Sequence, residues 1–304
     1  MKITNLIAAT YAPMKKDGSL NTKVIKSYGE FLIKNKINGV FMNGTTGDFV
    51  SLSKDERKEI TLAWYKNKSS NLYLIDHVGD SSLKVAKELA SFASDKMDAI
   101  AALAPYYFKL RSIEQLIDYC KEISSSAPNL PFYYYHIPVL SGANINMFEF
   151  LKIASKQIPQ FAGIKFTYNN LVDFLHCINF EKGKYNILFG IDEIFISTLP
   201  LGASGWIGST YNHIAPLYYK MQKLFKEGKI KEATNLQTKA IRFAEILESK
   251  GGLNGVAKGF MKTLGIDCGP SRFPHSTITD EIYDGIYSEL DQIGILDHLS
   301  LKIN

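Results

Sequence analysis

Cysteine is scarce: the 304 residues contain three, Cys120, Cys177 and Cys268. They lie far apart, with no C-x-x-C pair and no neighbouring histidine at ligand spacing. That excludes a disulfide framework and a thiolate zinc site, and points to reduced thiols in a cytoplasmic protein. Long apolar runs are missing too. No stretch reaches the roughly eighteen residues that a membrane span needs. The N-terminal MKITNLIAATYAPMKKDG has only a short apolar patch before Pro13, so no signal peptide is expected. Nor is there a surplus of one charge. The 35 Lys+Arg stand against 30 Asp+Glu, a net +5, and the lysines are scattered, so nothing supports a nucleic-acid partner. What the chain does have is apolar material, 46% hydrophobic and 12% aromatic, which is too much for a disordered protein and enough for a large core.

Short β-prone apolar runs alternate with longer segments of helical periodicity, the pattern of parallel strands joined by crossover helices. Eight strand candidates are read: Leu6 to Thr10, Gly39 to Asn43, Leu72 to Val78, Ala99 to Ala104, Phe132 to Tyr135, Phe161 to Phe166, Ile187 to Gly190 and a weak eighth at Gly205 to Ile207. Helices are expected to start near Thr22, Ser53, Ser81, Ser112, Asn146, Asn169 and Asp192, with an eighth after Asn212. Several of these residues can cap free amides, and Ser53 to Glu56 has capping-box spacing. So regular a count fits a closed (β/α)₈ TIM barrel better than an open doubly wound sheet. The barrel would occupy about residues 1–226. The remaining 227–304 read as helices without a strand, among them Lys229 to Lys250 ended by Gly251-Gly252. With no linker or low-complexity tract, the whole of 1–304 is read as one domain, the helical extension packing on the barrel wall or a neighbouring subunit.

In such a barrel the chemistry sits at the C-terminal strand ends. On the sixth strand, alternation puts Gly163, Lys165 and Thr167 on one face. Lys165 is then either an amine reaching solvent or a desolvated one of depressed pKa, able to form a Schiff base with a carbonyl. On the fifth strand Tyr133 and Tyr135 share a face, and either one of them relays a proton at the same mouth or both belong to an aromatic core layer. His136 reads as a loop histidine rather than a metal ligand. The turn Asn43-Gly44-Thr45-Thr46-Gly47-Asp48 can nest a carboxylate on its amides and hydroxyls, or simply connect elements. Gly190-Ile191-Asp192-Glu193 and Gly208-Ser209-Thr210-Tyr211-Asn212 follow the last two strands. Their acids are either helix-start caps or acceptors for the hydroxyls of a polyol. No metal triad, nucleophile elbow, dinucleotide fingerprint or Walker loop is present.

Together with Tyr133-Tyr134-Tyr135-His136-Ile137-Pro138 and Gly163-Ile164-Lys165-Phe166, these segments resemble the N-acetylneuraminate lyase (sialic acid aldolase) family, within the pyruvate-dependent class I aldolases that include dihydrodipicolinate synthase. The likeness spans about residues 4–275. It implies cleavage of N-acetylneuraminate to N-acetyl-D-mannosamine and pyruvate, with Lys165 forming the imine and Tyr135, as phenolate, taking the proton. Thr45 and Thr46 would hold the substrate carboxylate. Thr167, Gly190, Asp192, Glu193 and Ser209 would line the pocket for the sugar hydroxyls. The iminium would serve as electron sink, so no cofactor and no metal is expected. The resemblance also implies a homotetramer, in which the segment of Tyr106 and Tyr107 reaches a neighbouring subunit. Where the synthase has an arginine after its Tyr-x-x-Pro motif, this chain has Leu140, which disfavours an aldehyde bearing a carboxylate. The alternatives are a relaxed dihydrodipicolinate synthase, a 2-keto-3-deoxy sugar acid aldolase, or a barrel that binds sugar acids without turnover. One departure is Asp48, where the family usually has Glu.

Overall fold

The computed structural model describes residues 2–303. Eight parallel strands close into a barrel in chain order, with the last paired to the first. They are β1 (Asn5–Ala9), β2 (Gly39–Met42), β3 (Tyr73–His77), β4 (Ala99–Leu103), β5 (Phe132–His136), β6 (Phe161–Phe166), β7 (Asn186–Phe189) and β8 (Gly205–Gly208). Helices α1 (Val24–Lys34), α2 (Lys54–Lys66), α3 (Leu83–Ala93) and α4 (Ile113–Ser125) follow the first four strands. The one-turn α5 (Pro138–Ser141), α6 (Met147–Gln157), α7 (Leu171–Asn179), the one-turn α8 (Phe195–Thr198) and α9 (Tyr211–Lys226) complete the layer. This is the TIM barrel expected from the alternating pattern.

Local chemistry explains the starts. Ser53 accepts from the Glu56 amide while Glu56 accepts from the Ser53 amide, so both halves of the capping box are present. Ser82, Ser112, Asn146 and Asn170 each cap the next helix through their side chains, removing one orphan donor apiece. The crossover after β7 departs from the regular helix expected there. It is a 3₁₀ turn (Asp192–Ile194) followed only by α8, because the carbonyl of Asp192 accepts from Gln237 and the amide of Ile196 donates to Gln237, pulling the segment onto the extension.

Alternation splits the strands into two packed layers. Inside lie Ile7, Phe41, Ile75, Ala101, Tyr133, Tyr135, Leu188 and Ile207. Outside, Leu6, Val40, Leu74, Ile100, Tyr134, Ile164, Phe189 and Trp206 pack against the helices. The extension begins with α10 (Ile230–Ser249), whose Ala233, Leu236, Ala240, Phe243 and Leu247 are buried. A π-helical turn (Leu253–Ala257), α11 (Lys258–Phe260) and α12 (Asp280–Gln292) follow. Among the described residues no helix is long and apolar enough to cross a membrane.

Candidate active site

Lys165, at the end of β6, points into the barrel with the inward register of Gly163. It is only 4% exposed, and its Nζ lies 3.9 Å from the centroids of both the Phe41 and the Tyr135 ring. The solvent-reaching alternative is thereby removed. Burial pushes the ammonium down to about 7, against an opposing upward pull from the Asp192 carboxylate. An amine titrating there has a large neutral, nucleophilic fraction near neutral pH.

Depth separates the two inward tyrosines. Tyr133 donates to Asn186 Oδ1 at 3.2 Å, at the start of β7 and away from the mouth. Tyr135 has its hydroxyl 3.2 Å from Thr45 Oγ1. Burial raises the Tyr135 phenol to about 12, although the Thr45 and Thr167 hydroxyls hold it down. In the resting protein it is therefore a neutral phenol. His136 also differs from expectation: it ends β5 instead of lying in a loop, and its ring packs outward near Phe166 and Tyr168.

Behind the turn after β2 lies a buried polar network that sequence reading did not find. Asn43, at φ 54°, donates to Asp76 Oδ1 at 2.8 Å, and Thr61 donates to Asp76 Oδ2 at 2.6 Å. The Leu103 amide donates to His77 Nε2, so the proton of His77 sits on Nδ1 and is donated to the Asn43 carbonyl at 2.8 Å. Fixed from below in this way, the turn presents Thr45 and Thr46 to the mouth, and among the described residues their amides make no hydrogen bond. Asp48 supports the same turn from outside, accepting from Ser51 at 2.9 Å and lying 3.4 Å from His275 Nε2.

The wall made by the ends of β7 and β8 is built differently. Asp192 Oδ2 accepts from the Thr210 amide at 3.0 Å and from the Thr210 hydroxyl at 2.6 Å, while Oδ1 has no partner. Gly208 makes room for that oxygen, since a Cβ there would stand 1.8 Å from it. Burial raises the pKa of Asp192, opposed by Thr210, by the neighbouring Tyr211 hydroxyl and by the Lys165 charge. It also raises that of Glu193, with the Asp192 charge adding to the effect.

All nine residues singled out from the sequence, Thr45, Thr46, Tyr135, Lys165, Thr167, Gly190, Asp192, Glu193 and Ser209, line one cavity of about 500 Å³. Leu140 is on its rim. The extension, read from sequence as packing alone, also contributes: Glu248, Gly252, Leu253, Asn254 and His275 form part of the wall. No motif signalled these, nor Gln237, because their contacts join distant parts of the chain; Thr210 stood in the Gly208–Asn212 segment, but with no role given to it. Among the described residues no three His, Cys, Asp or Glu side chains are grouped so as to hold a metal ion.

Comparison with known proteins agrees with this geometry. The profile of the dihydrodipicolinate synthetase family matches residues 2–293. N-acetylneuraminate lyase A of Xenopus laevis is 37% identical over 300 residues, covering 97% of this chain and 98% of that protein. The N-acetylneuraminate lyase of Proteus mirabilis superposes with a TM-score of 0.93 at 34% identity, covering 97% of this chain and all of that one. The native sialic acid aldolase of Aliivibrio salmonicida gives 0.93 at 32% identity, over 98% and 99%. The chain therefore belongs to the dihydrodipicolinate synthetase family, among whose members the N-acetylneuraminate lyases resemble it along its whole length.

Proposed function

We propose that this protein is a Schiff-base aldolase that reversibly cleaves N-acetylneuraminate to N-acetyl-D-mannosamine and pyruvate. The observation that carries the reading is the buried Lys165 amine, depressed to about 7 and placed against Tyr135. The neutral amine adds to the keto carbon of the open-chain substrate, and loss of water leaves an iminium. The bond between the third and fourth carbons then breaks. Its electrons flow to the iminium nitrogen as an enamine, and the proton of the C4 hydroxyl passes to Tyr135 as the aldehyde forms. Protonation of the enamine carbon and hydrolysis release pyruvate and restore the amine. Because Tyr135 is neutral at rest, its phenol proton must first leave to water, which the iminium cation beside its ring favours by lowering the phenol pKa; the phenolate so formed then takes the C4 hydroxyl proton. Imine formation thus precedes proton abstraction. In the condensation direction the neutral phenol is already the right acid for the aldehyde oxygen. The iminium is the electron sink, so the scheme calls for neither a metal nor an organic cofactor.

The uncommitted Thr45 and Thr46 amides suit the substrate carboxylate, and the free Asp192 Oδ1 with Glu193 and Ser209 suits a neutral, hydroxylated tail. Leu140 on the rim offers no counter-ion to an acidic aldehyde. A homotetramer is supported by Tyr107 and Phe108, 78% and 83% exposed, on a loop tied to the segment of Val139 and Leu140 by Lys109 donating to the Ser141 carbonyl at 3.1 Å. Light scattering that returns a monomer would remove that assignment. Three free, buried cysteines support a reducing, cytoplasmic setting. The central test is borohydride reduction with pyruvate. A pyruvate-derived mass is expected on the peptide carrying Lys165 and absent in Lys165→Ala; an unmodified wild-type lysine overturns the mechanism.

A further inference from the structure

Gly251 and Gly252, at φ 136° and 84°, follow α10 and turn the chain back over the mouth, a path that residues with a Cβ rarely take. The next turn, Leu253–Ala257, is wound as a π-helix, a wide coil frequently seen at functional sites. It aims Asn254 at the barrel: Nδ2 donates to the Thr45 carbonyl at 2.8 Å, across 209 positions of sequence. That carbonyl also accepts from the Asp48 amide at 3.0 Å, so the two donors together use both of its lone pairs. Asn254 is held in turn, its own carbonyl accepting from the Ser271 hydroxyl. The adjoining Arg272 clamps the flanks of the same turn, donating to the Ser51 carbonyl at 2.7 Å, to Gly18 at 2.8 and 3.0 Å, and to Glu56. On its other side Thr45 faces the Tyr135 hydroxyl.

We propose that Asn254, supplied by the C-terminal extension, is a positioning residue for Thr45. It orients the turn so that the Thr45 and Thr46 amides face the carboxylate of the keto acid and the Thr45 hydroxyl stays within reach of Tyr135. This rests on the reading that pyruvate forms an imine with Lys165. Among the described residues Asn254 makes no hydrogen bond to Lys165 or Tyr135; its side chain acts through the Thr45 carbonyl.

The test titrates pyruvate against the borohydride-trapped adduct in the full-length wild type, Asn254→Ala and Asn254→Asp, with a melting curve for each. Loss of one neutral hydrogen bond predicts a half-saturating pyruvate concentration about five- to tenfold higher in Asn254→Ala. In the condensation assay the half-saturating N-acetylmannosamine concentration should move less than about twofold. Asn254→Asp keeps the shape but presents an acceptor to the carbonyl near pH 8, so its loss is larger there. Only toward about pH 4, near the ordinary aspartate value, does protonation restore a donor, and the ratio to wild type then falls back. A lowered melting temperature with unchanged pyruvate half-saturation would mean a merely structural role and overturn the proposal. So would equal rises for both substrates, or failure of both variants to fold. No adduct on the wild-type protein at any pyruvate concentration overturns the aldolase reading, and this inference with it.

Discussion

Lys165 and Asp192 are both buried at the barrel mouth, on neighbouring strand ends, yet their surroundings share almost nothing. Around Lys165 are the ring faces of Phe41 and Tyr135. Around Asp192 are the amide and hydroxyl of Thr210, the latter in contact with Tyr218 at 2.9 Å, and the anchor of Gln237 on its carbonyl. An ionisable group buried among rings loses the solvation of its charge and becomes reactive. One buried among donors keeps a defined orientation, and its remaining oxygen becomes a recognition element. The same cavity thus holds one wall of rings around an amine and one wall around a hydrogen-bonded acid, which on the proposed reading serve bond-making and the recognition of hydroxyls respectively.

Three substitutions would break or sharpen that contrast. The largest effect is expected from Tyr135→Phe, which keeps the ring beside Lys165 and removes only the phenol. Cleavage should slow about 10²- to 10⁴-fold, while pyruvate adduct formation, followed by mass spectrometry, persists. Equal loss of both would mean that Tyr135 serves the amine rather than the proton. Next, Asp192→Asn should raise the KM for the sugar roughly 10- to 100-fold, the scale of a hydrogen bond to a charged group. It also removes the charge that holds the Lys165 pKa up. The amine then deprotonates more easily, and the acid limb of the pH profile for pyruvate trapping moves to lower pH. An unmoved limb would disconnect the two walls. The smallest effect belongs to Thr210→Val, which removes the hydroxyl from the carboxylate and leaves the amide as its one remaining hold there. A KM for N-acetylmannosamine about three- to tenfold higher is expected in the condensation assay, with pyruvate trapping unchanged. A change in trapping instead would place Thr210 on the lysine side.

The barrel and its mouth were legible from sequence where information is local. Ser53, Ser112 and Asn146 announced helix starts through their own side chains; period-two alternation put Lys165 and Tyr135 each on a defined strand face, and the family resemblance placed both at the mouth. The short helical turn after β7 was not legible, because Gln237, 41 residues beyond Ile196, holds it. Nor was the charge state of Tyr135. A motif names a phenol, but the desolvation that keeps it protonated comes from atoms of several strands.

Alternation, caps and strand-end residue types determined that this chain closes a barrel with a lysine, a tyrosine, a threonine turn and two acids at one end. Only the tertiary structure decided what each tyrosine hydroxyl meets, that the lysine is desolvated to about 7, and that the extension closes the cavity with Asn254 and His275. The division has a physical cause. Backbone periodicity and capping are properties of a few consecutive residues, whereas burial, depth and a donor arriving from 209 positions away exist only once the chain has folded around them.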